Sequence, residues 1–256
     1  MARIIGIISG KGGVGKTTLV SNLGAVLAHK FNKKVTVIDC NLTTSHLSLY
    51  LGMYYNPITI NQVLKREASV EEAMYQHSSG MHVIPASLTL RDLEGIDILN
   101  LKDAIKPISD ENDIILLDGS PGLGRETLGT IKASKEILFI ATPYVASLMD
   151  IIRSQEVVRE LEGNLSGIVL NMVRKEKNEI RKSEIEGFTG LDVISIIPYD
   201  RDVYRSVSSG MPVIFYNPRS KAAKELVKLA SFIAGEEFKE HRFSRILSIL
   251  RPKFKI

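Results

Sequence analysis

The residues best suited to chemistry stand near the start of the chain. Gly10-Lys11-Gly12-Gly13-Val14-Gly15-Lys16-Thr17 fits the pattern G-x-x-x-x-G-K-[ST]. Glycines let a backbone turn so that successive N–H groups face an anion. A helix opening directly after the loop adds partial positive charge at the same point. Lys16 is spaced to reach the β- and γ-phosphates of a nucleotide, and the Thr17 hydroxyl to take one position on Mg²⁺. With Thr18, the expected phosphate-binding run is 10–18. Lys11 is a second lysine inside the loop, and the minimal pattern has no use for it.

Two aspartates end apolar runs. Asp39 closes Val35 to Asp39 (VTVID), and Asp118 closes Asp113 to Asp118 (DIILLD). An open α/β sheet places ligand groups at such strand ends. Asp118 is expected to hold Mg²⁺ through water, and Asp39 to hold the metal's water shell or position water. Gly119, Gly122 and Gly124 would let the following backbone approach the γ-phosphate.

The elements that position these groups are legible as alternation. Arg3 to Ser9, Val35 to Asp39, Met81 to Ile84, Asp113 to Asp118, Ile137 to Thr142, Gly167 to Asn171 and Asp192 to Ile197 read as buried strands. Leu19, Val20, Leu23, Val26 and Leu27 recur at helical spacing, as a crossover helix requires. Ala146 to Leu161 and Lys221 to Ala234 read likewise. This predicts one α/β domain over residues 1–235: a mostly parallel, twisted sheet with helices on both faces, the architecture of a P-loop NTPase.

GKGGVGKTT resembles the deviant Walker A signature of the MinD/ParA family of P-loop ATPases. VIDCNLTTSHLSLYLG is similar to that family's switch I, and DIILLDGSPGLGRET to its switch II, with the outer Asp118 and Gly122 in register. SSGMPVIFYNPRSKAAKEL resembles its late G-x-P-V…P-x-S-x-A-A segment. The resemblance covers roughly residues 1–235, with archaeal MinD-like proteins nearest in look. It implies ATP or ADP with Mg²⁺ as cofactors and a slow, partner-stimulated ATPase. It implies that Lys11 crosses a nucleotide-sandwich homodimer to the partner's phosphates, acting as an arginine finger does. Asn41 stands where many relatives carry a second Asp; an amide orients water but cannot accept its proton. By the same resemblance Asn171 bonds the adenine edge and the loop at Pro198 packs on the base.

Charge and composition bound the rest. The chain has 256 residues with 33 basic and 29 acidic side chains, net +4. Six of those basic residues and one acid fall within residues 238–256, so the remainder carries about −1. A basic tail suggests an anionic partner. If the tail is a helix up to Pro252, Phe243, Ile246, Leu247 and Leu250 share one face and Arg242, Arg245 and Arg251 lie off it, as in interfacial membrane helices. Residues 236–256 are therefore expected to bind an anionic membrane surface, with docking on the body or nucleic acid as alternatives. No apolar run is long enough to span a bilayer. A single cysteine, Cys40, excludes a disulfide framework within the chain and a CxxC zinc site. It also weighs against an iron–sulfur carrier.

The leading expectation is an ATP-driven switch, cytoplasmic and peripherally membrane-associated, cycling between ADP monomer and ATP dimer with an activating protein partner. A ParA-like DNA-partitioning ATPase and a slow ATP-binding module are the alternatives.

Overall fold

The computed structural model describes residues 1–236. Eight strands form one sheet: β1 (Arg3–Ser9), β2 (Val35–Asp39), β3 (Tyr75–Gln76), β4 (His82–Ile84), β5 (Ile114–Pro121), β6 (Glu136–Ala141), β7 (Leu165–Val173) and β8 (Val193–Pro198). Their order is β3-β4-β2-β5-β1-β6-β7-β8. Every pairing is parallel except the antiparallel edge pair β3–β4. The expected single α/β domain with a mostly parallel sheet is the observed fold.

Helices of eight or more residues are α1 (Lys16–Phe31), α2 (Arg125–Ala133), α3 (Val145–Glu160), α4 (Lys182–Thr189), α5 (Arg201–Ser208) and α6 (Lys221–Ala234). Side chains alternate across a strand, and here both sides are apolar. Ile5 and Ile7 of β1 face the cluster built by Leu19, Leu23 and Leu27 of α1 and Leu226 and Ala230 of α6. Ile4 and Ile8 face the opposite side, where Ile115 and Phe139 are buried. Each such aliphatic side chain contributes about 1.5–3 kcal/mol by leaving water.

Local signals fix the ends. The Ser220 hydroxyl accepts the Ala223 N–H at 3.1 Å and starts α6, and Gly235 ends it in the left-handed region. The β1–β5 register slips near Ile8, so that Ser9 pairs with Pro121. That slip sets the start of the glycine loop directly against the segment after β5. The Gly122 N–H then donates to the Ser9 carbonyl at 3.0 Å.

Candidate functional site

The glycine loop joins β1 to α1 at the C-terminal end of the sheet. Gly13 and Gly15 hold φ of 77° and 94°, values an L side chain rarely adopts. Gly15 is constrained twice, since a Cβ there would meet Asn171 Nδ2 at 2.4 Å. It precedes α1 with no side-chain cap, and no acidic residue stands in the first turn. The amides and positive pole of a sixteen-residue helix thus stay open to an anion.

Lys16 is buried, and its Nζ donates to Ser9 Oγ at 2.8 Å. Ser9 Oγ donates to the Lys11 carbonyl at 2.8 Å, so the lysine and the loop backbone share one hydroxyl. Burial pushes the Lys16 ammonium below the usual lysine range, and the charge of Asp118 opposes that. Lys11 is half-buried, and among the described residues its ammonium has no hydrogen bond or ion pair.

Asp39 and Asp118 are register partners on β2 and β5, and both are buried. Burial pushes the Asp118 carboxyl up to about 8 and the neighbouring Asp39 adds to this, while the Thr17 hydroxyl and Lys16 pull the other way. Asp118 Oδ1 is sealed from solvent without a hydrogen-bond partner. An orphaned carboxylate oxygen beside a threonine hydroxyl fits a hard cation that seeks oxygen ligands. Asp39 differs. Its oxygens take the Asn41 N–H at 3.0 Å, the Ser45 hydroxyl at 2.7 Å and the Leu47 N–H at 3.3 Å. Burial pushes it up to about 6, against those three donors. Asp39 therefore organises the segment 41–47, whereas Asp118 keeps an atom open.

Asn41 is a bridge. Its Nδ2 donates to the Thr44 carbonyl at 2.8 Å, and its Oδ1 lies 2.9 Å from the Ser120 hydroxyl. The segments after β2 and β5 are thereby tied together beside the glycine loop.

Beside the phosphate loop opens a cavity of about 290 Å³, lined among others by Gly15, Thr18, Tyr50, Asn171, Pro198 and Tyr199. Asn171 Nδ2 donates to the Val14 carbonyl at 2.8 Å, so the amide is strapped to the loop. The Arg174 guanidinium lies 3.7 Å above the Tyr199 ring, a cation–π contact that stiffens one wall. A flat aromatic group joined to phosphates fits this pair of adjoining sites.

The family described as the CobQ/CobB/MinD/ParA nucleotide binding domain matches residues 5–213. The chain belongs to this family. An uncharacterized ATP-binding protein of Methanocaldococcus jannaschii is 36% identical over 232 residues, 91% of this chain and 88% of that protein. Among solved structures, the cell division ATPase MinD of Pyrococcus furiosus superposes with a TM-score of 0.88 at 33% identity, covering 92% of this chain and 99% of that one. The septum site-determining protein MinD of Pyrococcus horikoshii, complexed with Mg-ADP, gives a TM-score of 0.87 at 29% identity, covering 91% and 96%.

In this MinD/ParA-family chain the structure brings Gly10 to Thr18, Asp39, Asn41 and Asp118 together at one sheet end. Asn171 and Pro198 meet in the adjoining cavity. Sequence reasoning missed Ser9, Tyr50, Tyr199 and Ser120. Ser9 had a signal, as the last residue of the strand before the loop. Tyr50 and Tyr199 reach the cavity only by tertiary folding. The proposed tail helix lies outside the described residues. Among those described, no helix is long and apolar enough to cross a membrane.

Proposed function

We propose that this MinD/ParA-family chain binds Mg-ATP and hydrolyses it slowly, and that ATP occupancy switches it from monomer to homodimer. The observation that carries this is the unpartnered buried oxygen of Asp118, a carboxylate bonded by the Thr17 hydroxyl and within the field of the Lys16 charge. Thr17 and, through water, Asp118 and Asp39 would hold Mg²⁺, which neutralises charge developing on the phosphates. Gly10 to Thr18 would wrap the phosphates, Lys16 the β- and γ-oxygens, and Asn171 and Pro198 the base. Asn41 would orient the attacking water. Lys11, without a partner in its own subunit's described residues, would reach the phosphates of the second subunit.

In this reading residues 1–235 are the switch and 236–256 a basic tail that meets an anionic membrane from the cytoplasmic side. Two weak tails act together only in the dimer, which multiplies their hold on a surface. An activating protein partner would speed the return to ADP. The likeness to two MinD structures at 33% and 29% identity supports a MinD-type cycle.

The test uses the full chain with Mg²⁺ and either ADP or a non-hydrolysable ATP analogue. Light scattering should give a dimer only with the analogue. The same sample should pellet with vesicles of anionic phospholipid, and a chain ending at Gly235 should not. A monomer under both nucleotides overturns the switch; a dimer that binds DNA and ignores vesicles makes the cargo nucleic acid.

A further inference from the structure

Tyr50 lines the cavity beside the phosphate loop, and neither the phosphate-binding pattern nor the residues assigned to the base account for it. It comes from the segment that follows Asp39. The Ser45 hydroxyl and the Leu47 N–H both bond the Asp39 carboxylate, which sets the start of the short helix Leu47–Tyr50 beside the metal site. Leu47 and Leu51 are buried in the core shared with α1, so those side chains are taken up by packing. Tyr50 stays half-buried.

The other end of this helix is fixed by two glycines. Gly52, at φ 70°, and Gly210, at φ 60°, meet backbone to backbone. A Cβ on Gly52 would lie 2.9 Å from the Gly210 carbonyl oxygen, and one on Gly210 would lie 2.8 Å from Gly52 Cα. Only residues without a side chain allow this approach at these angles. Gly210 follows α5, whose Val203, Tyr204 and Val207 line the same cavity. The contact therefore holds the Tyr50 wall against the α5 wall.

Tyr50 brings an unused polar group to that wall. Among the described residues its hydroxyl has no hydrogen-bond partner, although a tyrosine withdrawn from water usually finds one. Burial and the charge of Asp118 both push the hydroxyl up, so it lies within the field of the metal-site carboxylate. The same residue borders the cavity that Asn171 and Pro198 line. A nucleotide with its phosphates on the glycine loop and its base beside Asn171 and Pro198 would pass its sugar between those two points. A ribose presents hydroxyls there, and each can give and take a hydrogen bond, as a phenol can.

We propose that the Tyr50 hydroxyl hydrogen-bonds the ribose of the bound nucleotide, so that this chain prefers ribonucleotides to nucleotides lacking the sugar hydroxyls. This rests on the ATP-binding reading above and adds the sugar contact to it. The Gly52–Gly210 contact fixes the helix that presents the phenol.

Titration calorimetry on the full chain with Mg²⁺ compares ADP with 2′,3′-dideoxy-ADP for the wild type, Tyr50→Phe and Tyr199→Phe. The dideoxy nucleotide keeps the base and both phosphates and loses the sugar hydroxyls. The wild type should bind ADP about three- to tenfold more tightly than the dideoxy nucleotide, the worth of one hydrogen bond. Tyr50→Phe keeps the ring and should weaken ADP by that factor. It should leave the dideoxy nucleotide within about twofold, which also shows the site intact, and so erase the preference. Tyr199→Phe, on the same cavity, should keep it. A wild type without the preference overturns the proposal, as does a Tyr50→Phe variant that retains it. Equal weakening of both nucleotides in Tyr50→Phe does the same, since the phenol would then serve packing or the phosphates. A preference erased by Tyr199→Phe as well would also overturn it. A wild type that binds neither nucleotide overturns the ATP-binding reading itself, and this proposal falls with it.

Discussion

Asp39 and Asp118 face each other across adjacent parallel strands as register partners, both shut off from water, yet only Asp118 has an oxygen with nothing bonded to it. Two neighbouring carboxylates in a dry site disfavour each other's charge. The three donors on Asp39 settle which of them stays ionised more easily. Asp118 is left as the group that a cation would relieve.

That relief has a measurable sign. A carboxyl raised to about 8 stabilises the fold fully below the ordinary Asp range near 4, and the contribution is lost as pH rises through the folded value. The magnesium-free protein should therefore lose stability from about pH 4 to 8 through this group. Asp118→Asn removes the loss and should raise the melting temperature at pH 8, while changing it little at pH 4. It should also abolish the stabilisation by Mg²⁺ with nucleotide. A calorimetric scan with and without Mg-ADP checks both; an unchanged magnesium response would remove Asp118 from the metal site.

Gly15→Ala tests the loop. The added methyl needs φ of 94° and the space held by Asn171 Nδ2. The expected outcome is destabilisation of about 1–3 kcal/mol and at least tenfold weaker nucleotide binding. Titration calorimetry against ADP reads the affinity. Full affinity would mean the loop adopts another shape when occupied.

Lys11→Ala should leave ADP affinity of the monomer within about threefold, because its ammonium has no described partner in its own subunit. The ATP-analogue dimer should be lost and turnover fall by about a hundredfold or more, as for a removed arginine finger. If light scattering still shows a dimer, the bridging role belongs to another residue.

Asp200 offers a second pH handle, remote from the metal site. Burial would raise its carboxyl, but the N–H groups of Asp202, Ala222 and Lys221 and the Ser220 hydroxyl outweigh this and hold it below the usual range. Its Oδ1 accepts from Asp202 at 2.9 Å and caps α5, and its Oδ2 takes the Ala222 N–H of α6 at 3.2 Å. A lowered carboxyl contributes stability above its unfolded value, and the contribution is lost as pH falls through the folded one. Asp200→Ala should therefore cost about 1 kcal/mol at pH 7, the value of a lost N-cap. The gap from wild type should close below about pH 3. Urea melts at the two pH values decide it.

Where the chain repeats a strong pattern, the sequence was a good guide. β1 and β2 begin and end where their isoleucine and valine runs do, and α6 lies between the two caps its sequence announces, Ser220 and Gly235. β3 is two residues long and carries no alternation to find. The short helices Leu47–Tyr50 and Ile60–Leu64 are held by tertiary packing, with apolar residues buried under them and too few turns for a period. The candidate site divides the same way. Eight consecutive loop residues define a local cradle, so they could be read at once. Ser120 could not, because its part in the site comes from Asn41, 79 residues away.

Helix α1 begins at Lys16 in the phosphate loop and runs to Phe31, a span of about 24 Å for sixteen residues. Just beyond its far end, Lys33 grips Glu236 at 2.8 Å, where the described chain stops. The glycine loop and Glu236 thus sit near opposite ends of α1. Anything bound at one end is out of reach of the other. A link between the two ends has to run through α1 or through elements packed on it, such as α6.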